Sequence, residues 1–180
     1  GYWQLTDKVV NENNLLMTAD SGDVKDGYLH LISHNKHGIQ LANGHYVYPE
    51  PVESRLQDDT IFENVVIYGE NQAKLTAICR IAKHEWQTFL NSFNISDDSP
   101  LENEQRQQRV QGILYTRINA LLQSVPNAPR IDYILPTFND WLEDGLIDTS
   151  GKVNRPAVEE FFAEELRQLY TQQYPFQVKL

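Results

Sequence analysis

The chain has 180 residues, 41% of them hydrophobic and 22% charged, an ordinary globular balance and enough length for one sizeable core or one domain plus part of another. Its net charge of −10 argues against a nucleic-acid partner, whose affinity comes largely from Lys and Arg neutralising phosphates, but leaves room for a small anion held by a few local cations. No apolar run approaches the ~18 residues of a membrane span, no signal peptide is visible, and the expected location is cytoplasmic. The chain opens on Gly1 rather than Met, so we expect a piece of a longer protein or a residue left by expression.

Residues 1–14 are polar and irregular. Residues 15–20 and 27–33 read as two short strands around a turn at Lys25, Asp26 and Gly27, where Asp-Gly is the turn signal. A second hairpin follows, with strands at 39–41 and 45–48 joined through Asn43-Gly44. Pro49 opens a short helix over 49–57, with Glu50 and Glu53 suited to the positive end of its dipole. Residues 61–69 and 74–81 are nearly continuous apolar runs, read as a buried strand pair turning at Glu70, Asn71 and Gln72. Cys79 lies in the second run and reads as a buried structural thiol. As the only cysteine, it forms no internal disulfide.

Trp86, Phe89, Leu90 and Phe93 recur at helical spacing, which predicts a packed helix over 83–95. A polar loop covers 96–104. A long amphipathic helix spans 104–125, with Val110, Ile113, Leu114, Arg117, Ile118, Leu121 and Leu122 on one broad face. Residues 130–136 read as a strand ended by Pro136, and 154–174 as a last helix with Pro156 in its first turn. Helices and strands alternate irregularly among hairpins. The expected class is α+β, a small antiparallel or mixed sheet with a hairpin and packed helices. Between the last strand and the last helix lies Asp148-Thr149-Ser150-Gly151-Lys152, a flexible stretch carrying one lysine. By composition alone Lys152 is solvated surface.

Four stretches in order resemble motifs of the AMP-forming acyl-CoA synthetases, the adenylate-forming superfamily. "GYWQ" is similar to the "GYW" opening of the segment that ends the family's large domain. "MTADSGDVKDGYLHL" resembles its "TGD…G…DGYL" stretch. "NGHYVYPEPVE" resembles the "NGENVxPEPIE" of long-chain fatty acyl members, and "TSGKVNR" the terminal "TxxGKxxR". The resemblance covers almost the whole chain. It implies that residues 1–35 end a large N-terminal adenylation domain and that 36–180 form the mobile C-terminal domain.

The resemblance also implies a chemistry. Such enzymes join a carboxylic acid to ATP (with Mg²⁺) as an acyl-adenylate, and the thiol of CoA then displaces AMP. Lys152 matches the lysine placed between two anions, the carboxylate and the α-phosphate, where a cation lowers their repulsion. Asp20 matches the aspartate that binds the ATP ribose hydroxyls, a task suited to a carboxylate with several acceptor sites. Lys36 matches the hinge. Ala42, Asn43, Gly44 and His45 match the loop that lines the pantetheine tunnel in the thioester step. The implied partners are the chain's own adenylation domain, the acid and CoA, with no metal site of its own. The phosphate loop and acyl pocket lie upstream, so the piece alone is expected to be inactive.

Where the family has "GRxKD", this chain has Ser33-His34-Asn35-Lys36-His37. His34 thus stands at the nucleotide-binding arginine, and the family's aspartate is His37. The alternative reading is a degenerate, non-catalytic interaction domain of the same fold. A metal site of His30, His34 and His37 would need a helix for its spacing to converge, and the segment reads as strand and turn.

Overall fold

The computed structural model describes residues 21–33, 38–95 and 103–171. The chain divides into two compact units, Gly1–Gly38 and Ile39–Leu180. In the first unit, strands β1 (Ser21–Lys25) and β2 (Tyr28–Ser33) form an antiparallel hairpin with Lys25 opposite Tyr28. Asp26 and Gly27 both take positive φ, 53° and 81°, the turn whose twist matches that of the flanking strands. A two-residue turn needs its arms directly beside it, and the described first arm is Ser21–Lys25; the strand expected at 15–20 lies outside the described residues.

The second unit opens with a short hairpin, β3 (Ile39–Gln40) and β4 (Tyr46–Val47), and passes directly into helix α1 (Pro49–Gln57). Pro49 fills the first helical turn and buries itself with Val52, Glu53 and Leu56, as the position-specific tolerance of proline allows. The central sheet is β5 (Phe62–Tyr68), β6 (Thr76–Ile81) and β7 (Tyr133–Thr137), in that order, antiparallel between β5 and β6 and parallel between β6 and β7. Two helices bridge the parallel pair: α2 (Lys83–Ser92) and α3 (Asn103–Leu122). After β7 come α4 (Arg155–Phe161) and α5 (Ala163–Thr171). The class is α+β with a mixed sheet.

The apolar runs of β5 and β6 are buried because both sheet faces are covered. Val65, Ile67, Ala77, Cys79 and Ile81 face one cluster with Val52, Leu56, Trp86, Leu90, Leu114 and Ile118. Val66, Ile78 and Leu135 face the other, with Trp141, Val158, Phe162 and Leu166. The alternation of inward positions along each strand splits the run between the two clusters. Cys79 is fully buried on the middle strand, and burial pushes its thiol up. On α3, Val110, Leu114, Ile118 and Leu122 are buried. Arg117 lies at the edge of that face and bonds Asp59 through Nε at 2.7 Å and Nη2 at 3.0 Å.

Several boundaries depart from the sequence reading, and α3 for one stops at Leu122 rather than 125. Helix α2 stops at Ser92 rather than 95: Asn94 turns left-handed (φ 54°) and Ile95 N–H bonds back to Leu90 O at 3.0 Å. Phe93, past that stop, stays partly exposed. Pro136 sits inside β7, opposite Cys79, which an edge strand tolerates because its missing N–H faces away from the ladder. The last helix bends at Phe162 (φ −100°, ψ 16°), so it divides into α4 and α5. No helix among the described residues is long and apolar enough to cross a membrane.

Candidate functional site

Lys152 sits on a tight turn between Trp141 and α4. Ile147 and Val153 pair as an antiparallel bridge, and residues 148–152 close the turn. Asp148 N–H donates to Lys152 O at 2.9 Å, and Gly151 N–H donates to Asp148 O at 2.9 Å. Gly151 takes φ 83°, the left-handed conformation that glycine adopts without a Cβ penalty. The Asp148 side chain fills the turn. Its Oδ1 accepts from Ser150 N–H at 2.8 Å, Ser150 Oγ–H at 2.5 Å and Lys152 N–H at 3.0 Å. Hydrogen bonds from the Ser150 hydroxyl and then the Lys152 N–H hold the Asp148 carboxyl below its ordinary value. Asp148, Ser150, Gly151 and Lys152 are all exposed. The backbone that carries Lys152 is ordered while its side chain faces solvent.

Behind that turn the chain is tied to the core. Arg155, at the start of α4, pairs with Glu53 of α1. Glu53 Oε1 accepts Ile67 N–H at 2.7 Å, while Arg155 Nη1 donates to Ile67 O at 3.4 Å. One residue of β5 is thus gripped on both of its polar groups, and α1, the sheet and α4 meet there. Burial pushes the Glu53 carboxyl up against the opposing pull of Arg155, with the net direction upward. The dipole role read for Glu53 from sequence is therefore replaced by a buried ion pair.

The hairpin at 41–45 repeats the Lys152 turn. Leu41 N–H donates to His45 O at 2.9 Å, and Gly44 N–H donates to Leu41 O at 2.8 Å. Gly44 takes φ 82°. His45 N–H donates to Asn43 Oδ1 at 3.0 Å, as Lys152 N–H does to Asp148. Asn43 stays out of the left-handed region, so the loop has five residues and a glycine in its fourth place. The strands are accordingly shorter than the expected 39–41 and 45–48. Ala42, Asn43, Gly44, His45 and Tyr46 are exposed. The turn after β5 braces this hairpin: Gln40 N–H donates to Glu70 Oε2 at 2.9 Å, Asn71 N–H to Gln40 O at 2.8 Å, and Ala42 N–H to Gln72 O at 2.9 Å.

Of the residues singled out in the sequence, Lys152 and the run from Ala42 to His45 fall on these two turns. Asp20, His34, Lys36 and His37 lie outside the described residues. Among the described residues no group of three or more His, Cys, Asp or Glu is gathered as a metal would require. The bracing roles of Asp148, Glu53, Arg155 and Glu70 were not read from the sequence. Asp148 carried a local signal, an aspartate two residues before Ser150 and four before Lys152. Glu53 and Arg155 are 102 residues apart and carried none.

No protein-family profile matches the chain. It is 26% identical over 172 residues to long chain acyl-CoA synthetase 6, peroxisomal, of Arabidopsis thaliana, covering 92% of this chain and 24% of that protein. It is 26% identical over 173 residues to long-chain-fatty-acid–CoA ligase 2 of Schizosaccharomyces pombe, covering 91% and 25%. Carboxylic acid reductase of Mycobacterium tuberculosis is 26% identical over 177 residues, covering 96% of this chain and 14% of that protein. The chain thus spans about a quarter of the length of the synthetases it matches. In fold it is similar to the adenylation domain of the carboxylate reductase of Mycobacterium chelonae, with TM-score 0.69 at 18% identity over 92% of this chain and 24% of that one. It is likewise similar to the A-PCP didomain of the carboxylic acid reductase of Segniliparus rugosus, with TM-score 0.68 at 18% identity over 92% and 22%. Over a segment about a quarter of their length the chain is similar in sequence to long-chain acyl-CoA synthetases, and its fold is that of the carboxylic acid reductase adenylation domains.

Proposed function

We propose that the chain is the C-terminal domain of an ATP-dependent, AMP-forming ligase that activates a fatty or related carboxylic acid and passes it to CoA. Residues 36–180 form that domain, and residues 1–35 end the large adenylation domain. The observation that carries this reading is Lys152, an exposed lysine on a turn ordered down to its own N–H, in a chain whose relatives are synthetases. An ammonium so presented has its natural counterpart on another surface. In the first step the carboxylate oxygen attacks the α-phosphorus of ATP and pyrophosphate leaves, and Lys152 offsets the charge of the two anions. In the second step the thiol sulfur attacks the acyl carbon and AMP leaves, with the turn at 41–45 lining the thiol's path. Asp20 and His34 bind the nucleotide and Lys36 is the hinge. The chain alone lacks the phosphate loop and acyl pocket and is inactive. Two synthetases of Arabidopsis thaliana similar to this chain are named peroxisomal.

The two half-reactions are separable in the full-length protein, by pyrophosphate exchange and by AMP release from supplied acyl-adenylate. Lys152→Ala slows the first by on the order of 10²-fold or more, the loss expected of one well-placed donor, and spares the second. Gly44→Trp does the reverse, because a left-handed backbone position and a narrow path both exclude the side chain. If neither substitution has an effect, the reading of a non-catalytic interaction domain, prompted by His34, replaces this one.

A further inference from the structure

The turns at 41–45 and 148–152 share one backbone plan. In each, the first residue's N–H meets the fifth residue's carbonyl at 2.9 Å and the fourth residue's N–H meets the first residue's carbonyl, at 2.8 and 2.9 Å. Each has a left-handed glycine in fourth place, at φ 82° and 83°. In each the N–H of the fifth residue is held at 3.0 Å by a side-chain oxygen from within the turn. The fifth residue is Lys152 in one and His45 in the other, and both are exposed. Two turns built alike present two different functional groups, one a fixed cation and the other an imidazole able to take up a proton. The thioester step needs such a group: a thiol ordinarily keeps its proton near neutral pH, and the thiolate is the nucleophile.

We infer that His45 is the general base of the thioester-forming step, the counterpart of Lys152 in the adenylate-forming step. This rests on the function proposed above. The thiol proton passes to a ring nitrogen of His45, the sulfur bonds to the acyl carbon, and the bond from that carbon to the phosphate oxygen breaks, releasing AMP. The imidazolium then returns its proton to solvent. A histidine suits the task because its charge changes within the pH range where such enzymes work. Charged groups on the neighbouring elements include Glu70, which accepts Gln40 N–H, Lys74, which lies over the Tyr133 ring, and Glu50, Glu53 and Arg55 on α1. None is placed in the turn itself, where Asn43 alone supplies the side-chain acceptor.

The test measures AMP release from supplied acyl-adenylate and CoA, and pyrophosphate exchange, as functions of pH in the full-length protein. His45→Ala and His45→Gln each slow AMP release by about 10²-fold near neutral pH, the usual size of a general-base effect. The pH dependence of AMP release that a general base confers disappears in both, while pyrophosphate exchange stays as in the wild type. Gln keeps the polarity and size of the side chain without a usable proton acceptor near neutral pH, so it separates catalysis from shape. A His45→Gln enzyme that retains the rate and that pH dependence overturns the inference, as does His45→Ala slowing both half-reactions alike. Gly44→Trp tells the two failures apart. If it blocks thioester formation while His45→Ala does not, the tunnel turn stands and the base lies elsewhere. If Gly44→Trp has no effect, the tunnel reading falls and this inference with it.

Discussion

At the scale of single residues, the order of the Lys152 turn depends on one carboxylate. Asp148 Oδ1 holds three donors of that turn, and they in turn keep its carboxyl below the ordinary value of 3.8. A carboxyl lowered in the fold contributes above its unfolded value and loses that contribution as pH falls through the lower folded value. The turn is therefore complete at neutral pH and opens only on the acid side of 3.8. Amide exchange at Ser150 and Lys152, followed through an acid titration, reads this directly. Asp148→Ala frees both amides already at neutral pH, whereas Asp148→Asn keeps them slow because an amide oxygen also accepts. Unchanged exchange in Asp148→Ala would show that the backbone alone makes the turn. Cys79 gives the opposite case. Its thiol is buried on the middle strand and pushed up, and thiolate character governs reactivity. A thiol reagent labels it at the rate of global unfolding, and prompt labelling of the folded chain contradicts the burial.

At the scale of elements, the pair Glu53 and Arg155 joins α1 to α4 through Ile67 of β5. Removing one partner strands the other. Arg155→Met costs about 3 kcal/mol, the low end for a buried pair, since Arg155 keeps 26% of its side chain exposed. Burial already pushes Glu53 up, so the pair adds little over an apolar contact of the same shape. The double substitution Glu53→Leu with Arg155→Met therefore recovers most of the loss. Urea midpoints of the three variants decide it, and a neutral Arg155→Met would mean that the pair is idle. This junction also marks where sequence reasoning ends. Helix α1 was legible from Pro49, and the first turn from Asp26-Gly27, because both signals are local. Lys152 and Gly44 were legible as motif positions, but the likeness of their two turns was not, since it lies in hydrogen bonds of the backbone. The stop at Ser92 went unseen because Asn94 does a glycine's work there. The placement of Pro136 depends on a parallel partner more than fifty residues upstream, and the bend at Phe162 coincides with no glycine or proline, its ring lying 6.3 Å from that of Trp141.

At the scale of the whole molecule, the second unit contains two apolar clusters of its own among the described residues. One runs from Ile39 to Ile134 and includes Val47 of the short hairpin, and the other from Val66 to Leu169. Three helices cover one face of the sheet and two cover the other, so residues 39–171 contain what a cooperative fold requires: a central sheet, two covered faces and a closed junction at Glu53 and Arg155. Deleting residues 1–38 leaves every residue named in the two clusters in place. The shortened chain is expected to unfold in one cooperative transition, with a Tm within about 4 °C of the 180-residue chain, the shift of less than about 1 kcal/mol in a domain of this size. Thermal melts by circular dichroism at equal protein concentration make the comparison. A larger fall, or a broad transition, would mean that the first unit supports the second and that the division at Gly38 is not a boundary of stability. The same melts bear on the proposed function. A domain that alternates between two half-reactions has to carry Lys152 and His45 as one rigid body, and rigidity of that kind is possible only if the clusters beneath both turns are complete without the segment that precedes them.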